Sequence, residues 1–264
     1  YFARLPGLLG AARGANLARV DLRHTELNTV ELTGATLTAA LLDGAQFNAG
    51  VLADASLRGV SARGASFTEI EAERLDASSA ILTATRWLHA RLEDSRLVAC
   101  VLESSELRGV ELTRADLSHA DLSETLFAQC TLTEAWLNGA NVEGATFDGC
   151  DLSWAVLAGL RGQGVSLRRA ALINTNLVDA FLDGADLSEA RAEQARFSAA
   201  TLTGARLTGA DLRKAVFREA DLRSADLRDA DLRGAILERA NLEGADLTGA
   251  NLEGANLNGA ILEA

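Results

Sequence analysis

The sequence predicts an all-β solenoid, a coil wound from short extended pieces and filled by its own side chains. Three observations carry that expectation: a five-residue period, confinement of large apolar residues to one position of it, and glycine at its end. The period is plainest from Ala230 to Ala264, which divides into ADLRG, AILER, ANLEG, ADLTG, ANLEG, ANLNG and AILEA. Alanine opens each unit, a polar residue usually follows, and leucine sits at the centre. The frame runs back to Asn16 without an insertion or deletion. Five matches neither the 3.6-residue helical repeat nor the two-residue strand alternation. Two apolar positions separated by one residue, such as Ala230 and Leu232, suit a short extended piece facing inward. The next two residues must turn the chain so that the following alanine also faces inward. Of the 23 glycines, 19 fall on the last position of the unit, where a positive φ meets no Cβ clash. A chain that turns every five residues and always buries the same two positions winds into a coil, each turn touching only its neighbours.

These units resemble the pentapeptide-repeat family, whose phrase is A(D/N)LXX, over residues 15–264. The resemblance implies a right-handed quadrilateral parallel β-helix with four pentapeptides per coil, one on each face. Residues 20 apart then stack as neighbours. About twelve coils at about 4.8 Å each would give a length of about 60 Å.

Residues 1–14, YFARLPGLLGAARG, stand outside the phrase and contain the only proline, Pro6. Phe2, Leu5, Leu8 and Leu9 suit a cap over the first coil, and a linker from an upstream domain suits them equally. From Leu17 to Leu262 the central position recurs 50 times, and leucine or phenylalanine fills 43 of them. The exceptions are Ala62, Ala72, Ala77, Trp87, Val142, Gly162 and Ala192. Four are compensated two residues earlier, by Val60, Ile70, Leu75 and Leu160, so large and small trade places and the coil stays filled. Phe67 to Trp87 is the most irregular stretch, and local distortion is expected there. From Asp211 onward, Asp-Leu-Arg triplets begin at Asp211, Asp221, Asp226 and Asp231. They read as solvated decoration, since exposed pairs contribute only about 0–1 kcal/mol. Ile261 and Leu262 lie in a final unit that still follows the phrase, so an open coil end there suits an end-to-end contact, a homodimer being one form of it.

The charge balance is −12, from 25 basic and 37 acidic residues, and neither half forms a basic arm. Direct nucleic-acid binding is not expected. No apolar run approaches a membrane span. Cys100, Cys130 and Cys150 occupy the small inward position and read as buried hydrophobes. Cys130 and Cys150 stack one coil apart under the 20-residue rule, but parallel Cβ vectors suit a disulfide badly. This cysteine usage, an odd number at small inward positions, points to a reducing compartment, and a cytoplasmic location is the expectation. The chain begins at Tyr1 and contains no methionine, which points to a segment of a larger bacterial protein.

No catalytic, cofactor-binding or metal-ligating set emerges. His24, His89 and His119 all stand at the turn position, on different faces and coils apart. No histidine is stacked beside a serine, and the glycines are periodic turn residues rather than a phosphate loop. The expectation is a non-enzyme without cofactor, working through its surface. Departures from the polar outward position are then the informative places. Trp136 and Val156 stack on one face, flanked by Ala158 and Val178, with Val216 and Ile236 further along. This is the candidate partner surface, tryptophan being a frequent interface anchor. Ile81 and Val101 form another stacked pair, while Leu41 and Phe181 stand alone.

Two functions follow from these residues. One is a rigid scaffold for protein–protein interaction with a partner the sequence does not identify. The alternative, implied by the family resemblance, is an acidic DNA mimic that binds DNA gyrase or another type II topoisomerase and protects it from quinolones or inhibits it. Charge and length suit that alternative. The outward column Glu31, Val51, Glu71, Arg91, Glu111, Thr131, Asp151 does not, because Val51 and Arg91 break it. Arg86, Arg91 and Arg96 place positive charge on three successive outward positions, and later Arg191, Arg196 and Arg206 on three of four, where a phosphate mimic needs none.

Overall fold

The computed structural model describes residues 12–262. They fall into two compact units, Tyr1–Ala135 and Trp136–Ala264. In the first, six three-residue strands form one parallel sheet in chain order: β1 (Glu26–Asn28), β2 (Gln46–Asn48), β3 (Ser66–Thr68), β4 (Arg86–Leu88), β5 (Glu106–Arg108) and β6 (Leu126–Ala128). Each pairs with the next 20 residues on, as in Leu27 with Phe47 and Phe47 with Phe67. The other faces of this unit meet through single parallel bridges of the same register, among them Glu31 with Val51, Thr36 with Ser56 and Leu41 with Ser61. The second unit has the same four columns, as in Trp136 with Val156, Asn141 with Arg161, Thr146 with Ser166 and Asp151 with Ala171. Four pentapeptides therefore complete each turn of a quadrilateral parallel β-helix. The regular sheet spans five such steps. The expected count of about twelve coils includes the many units whose faces pair through one bridge only.

Backbone hydrogen bonding explains the phrase residue by residue. The central residue donates its N–H to the next coil, as Leu37 N does to Ser56 O at 2.7 Å. The outward residue before it donates to the previous coil, as Thr36 N does to Ala15 O at 2.9 Å. The alanine after the turn closes it, Ala40 N donating to Leu37 O at 2.9 Å. Outside the six strands, the N–H just after the central residue takes no part in this ladder, and an unpaired backbone donor is costly. An aspartate or asparagine two residues earlier supplies the acceptor: Ser118 N donates to Asp116 Oδ1 at 3.0 Å and Glu253 N to Asn251 Oδ1 at 3.0 Å. The D/N preference is thus a local Asx bond repeated along the coil. The same hydrogen-bond pattern is already present at Ala12 and Gly14, whose N–H groups donate to Glu31 O and Thr33 O. The expected cap or linker over 1–14 otherwise lies outside the described residues.

The inward positions are almost fully buried, and hydroxyls at the small position are satisfied by carbonyls of the preceding coil. Ser95 Oγ donates to Ala72 O at 2.9 Å, and Thr175 Oγ1 to Leu152 O at 2.8 Å. Cys100, Cys130 and Cys150 are all buried. Burial pushes the Cys100 thiol up to about 12, so it is not a thiolate nucleophile at neutral pH.

The stretch from Phe67 to Trp87 keeps the register without distortion, contrary to expectation. Phe47, Phe67 and Trp87 form a stack with centroid separations of 5.0 and 4.0 Å and interplanar angles of 12° and 14°. Trp87 is 1% exposed, and its indole Nε1 donates to Thr85 Oγ1 at 2.9 Å. The small central residues Ala72 and Ala77 belong to the same turn and leave room for the indole. Gly162 is compensated in the same way. A Cβ there would meet Val142, Val165 and Leu182 side chains at 3.1–3.2 Å.

Candidate functional site

The last residue of each unit lies in the left-handed region whether or not it is glycine. The corners therefore tolerate histidine, acids and arginine, at a steric cost that glycine avoids. His89 rests over Gly109, with Nδ1 2.7 Å from where a Cβ would stand. The three histidines are corner residues with φ of 56°, 51° and 60°. Among the described residues, no group of three His, Cys, Asp or Glu side chains is arranged to hold a metal. Among the described residues no helix is long and apolar enough to cross a membrane.

The candidate surface occupies one outward column of the second unit and part of the column beside it. Bridges run from Trp136 to Val156, Asn176, Arg196, Val216, Ile236 and Asn256 in unbroken register. The six sequence-predicted residues therefore make two apolar segments rather than one. Within the column Trp136 and Val156 lie at one end and Val216 and Ile236 at the other, with Asn176 and Arg196 between, while Ala158 and Val178 stand in the adjoining column, two residues on from Val156 and Asn176. Trp136 is 55% exposed, and the other five are partly exposed. At the Asx position, indole and branched aliphatic side chains provide no acceptor for the N–H two residues on. Each such substitution gives up a bond that the phrase otherwise makes.

Sequence reasoning missed Trp154. It stands at the corner two residues before Val156, with φ 64°, and is 59% exposed. Its N–H donates to Ile173 O at 2.8 Å, which fixes the corner. Two of the chain's three tryptophans thus open to solvent around Val156, while the third, Trp87, is core. The missed signal was a bulky aromatic residue at a position whose backbone favours glycine. Phe181, 44% exposed, lies on the adjoining column paired with Arg161. Ile81 bridges Val101, as the 20-residue rule requires. Ile261 and Leu262 are 51% and 53% exposed.

Charge on the neighbouring faces is largely tied up locally. Arg213, Arg223, Arg228 and Arg233 each grip the aspartate two residues earlier, with Nη2–Oδ2 distances of 2.6, 2.6, 2.7 and 2.6 Å. The guanidinium bonded to each holds Asp211, Asp221, Asp226 and Asp231 below the usual carboxylate range. In the first unit, Arg91 serves three carboxylates: Glu73 at 3.0 Å, Glu93 at 3.6 Å and Glu111 at 3.8 Å. A hydrogen bond with Glu93, and then partial burial, raise Glu111 above its ordinary value. Glu93 Oε2 is buried without a hydrogen-bond partner. Arg91, which breaks the acidic column in sequence, is in space the counter-ion of that cluster.

The family model for pentapeptide repeats matches eight copies, over residues 13–52, 88–129, 125–159, 166–204, 200–239 and 225–263. The chain belongs to the pentapeptide-repeat family. The unmatched stretches, 53–87 and 160–165, hold the large-for-small exchanges at Ala62, Ala72, Ala77 and Gly162, where the phrase changes while the coil does not. Among solved structures, the chain is 30% identical to HetL, a pentapeptide repeat protein involved in heterocyst differentiation regulation from the cyanobacterium Nostoc sp. strain PCC 7120. That match covers 90% of each chain, with a TM-score of 0.39. It is 18% identical to full-length QnrB1, a plasmid-mediated fluoroquinolone resistance protein, over 79% of this chain and 89% of that one, with a TM-score of 0.34. It is 21% identical to Rfr23 from the cyanobacterium Cyanothece 51142, over 48% and 63%, with a TM-score of 0.21. No curated protein matches the chain in sequence. Against the family phrase, Trp136 and Val156 replace the Asx residue, and Trp154 replaces a small or polar corner residue.

Proposed function

We propose that this chain is a rigid, non-enzymatic β-helical scaffold that binds a protein partner through the Trp136–Ile236 column, as a segment of a larger bacterial protein. The observation that carries the reading is the pair of exposed tryptophans flanking Val156, at positions where the family phrase places a capping polar residue and a permissive corner. Fold alone does not assign function, so the reading rests on this surface. Cys100, a free and buried thiol, supports a cytoplasmic location. The test is a pull-down with the chain and its Trp136→Ser/Val156→Ser variant. Loss of specific partners from the variant profile supports the scaffold reading, and an unchanged profile leaves a spacer with no partner on this face. Self-association through Ile261 and Leu262 is a separate proposal. It requires a concentration-dependent dimer mass in light scattering that Ile261→Asp abolishes.

The topoisomerase-binding DNA mimic draws less support. Duplex mimicry needs free carboxylates at regular intervals, and those of Asp211, Asp221, Asp226 and Asp231 are each neutralised by a bidentate arginine. Gyrase supercoiling with and without a quinolone tests it directly. No effect at micromolar protein removes it, and protection would restore it over the scaffold reading.

A further inference from the structure

The interaction reading leaves open what kind of partner the column takes, and the charge pattern around it addresses that question. Three adjacent columns share this side of the second unit. They are the corner column from Trp154 to Lys214, the outward column from Trp136 to Val216, and the column from Asn138 to Arg218. None of their residues is an aspartate or glutamate, in a chain with 37 acidic residues and a net charge of −12. They carry three cations instead. Lys214 is 3.6 Å from Glu193 and Arg218 is 2.8 Å from Glu238, so both are already engaged at the rim. Arg196 is exposed and has no carboxylate within 4.0 Å among the described residues. It stands between Asn176 and Val216, within the column that begins at Trp136. Among the described residues Arg191 and Arg206 are also outside any ion pair, yet the next residues in their own columns are Asp211 and Asp226. Arg196 is followed by Val216.

Resting on the interaction reading, we infer that this face binds an extended acidic segment of a partner protein. Apolar side chains of that segment lie against Trp136, Trp154 and Val156, and a carboxylate pairs with Arg196. The register sets the spacing. Trp136 and Arg196 are three parallel steps apart, about 14 Å, which an extended peptide covers in about four residues. An acidic residue about four positions from an aromatic or branched anchor is therefore the motif the face selects. A guanidinium free of intramolecular partners gives a carboxylate a bidentate seat at no cost in broken ion pairs. The surrounding negative charge of the molecule disfavours long polyanions such as nucleic acid, which would extend past the acid-free columns.

The experiment is selection of a displayed library of random 12-residue peptides on the full 264-residue chain, followed by anisotropy titration of synthetic winners. The expected winners carry an acidic residue about four positions from an apolar anchor. Their affinity falls about tenfold on Arg196→Glu and in high salt, and survives better in Arg196→Lys. Winners that are uncharged or basic, and are lost on Trp136→Ser, overturn the acidic class while leaving the interaction face standing. Winners indifferent to both substitutions, or no enrichment at all, overturn both. A labelled 20-nucleotide single strand that binds and displaces the winners overturns the peptide assignment. Both substituted side chains are exposed, and matching circular dichroism melts exclude unfolding as the cause of any loss.

Discussion

Trp154 condenses the conflict between the repeat and its surface into one residue. A non-glycine residue at φ 64° carries a steric cost of about 1–2 kcal/mol, and a half-exposed indole recovers little of it by burial. Trp154→Gly is therefore expected to raise stability by about 1 kcal/mol in urea titration while weakening partner binding. A less stable variant would mean that the indole packs against the corner more than its exposure indicates. Arg91 presents the opposite case, a residue that looks misplaced in sequence and is needed in space. Arg91→Gln leaves Glu73, Glu93 and Glu111 facing one another without their counter-ion. The expected result is a lower urea midpoint at pH 7, with the loss shrinking in acid as Glu111, held above its ordinary value, takes up its proton. A loss independent of pH would place the role of Arg91 in packing instead.

The element is the pentapeptide, and its phrase is a hydrogen-bonding rule as much as a packing rule. Leucine fills the coil, alanine lets adjacent sides close, and the Asx oxygen satisfies the one backbone N–H that the ladder omits. Trp136 and Val156 abandon that third function. Replacing both with asparagine restores the acceptors for the N–H groups of Asn138 and Ala158. Stability should rise by about 1 kcal/mol in total while partner capture is lost, the reverse of what core residues do. Partner capture that survives alongside the gain would remove this column from the interface. The pentapeptide is also the scale at which the sequence was most legible. Period, inward positions, 20-residue register and four-sided turn follow from the placement of Ala, Leu and Gly together with the family phrase. Trp87 was harder to read because its compensation lies in Ala72 and Ala77, across the coil rather than beside it. Trp154 was harder still, because a corner residue is invisible to any pattern built on inward positions. The split of the apolar column by Asn176 and Arg196 was written in the sequence. It mattered only once bridge register put those residues directly in line with Trp136.

Across the whole molecule, electrostatics link stability to pH in a direction that the individual pairs determine. Arg23 holds Asp21 down at about 2. Arginine partners likewise lower Asp54, Asp94, Asp211, Asp221, Asp226 and Asp231. An unfolded aspartate titrates near 3.9, so folding favours the ionised form at each of these sites. Their contribution is fully present above about pH 5 and is lost as pH falls from about 4 through the depressed folded values. Glu111 runs the other way. Raised in the folded state by Glu93, it opposes folding when ionised and ceases to do so as it protonates, which offsets only a small part of the loss. The urea midpoint should therefore be level from pH 5 to 7 and fall below about pH 4, and the fall should flatten in 1 M salt because most of the pairs are exposed. A midpoint that holds to pH 2 would mean that the arginine–aspartate pairs decorate the coil without contributing to its stability. Acid resistance would then reside in the leucine core and the backbone ladder alone.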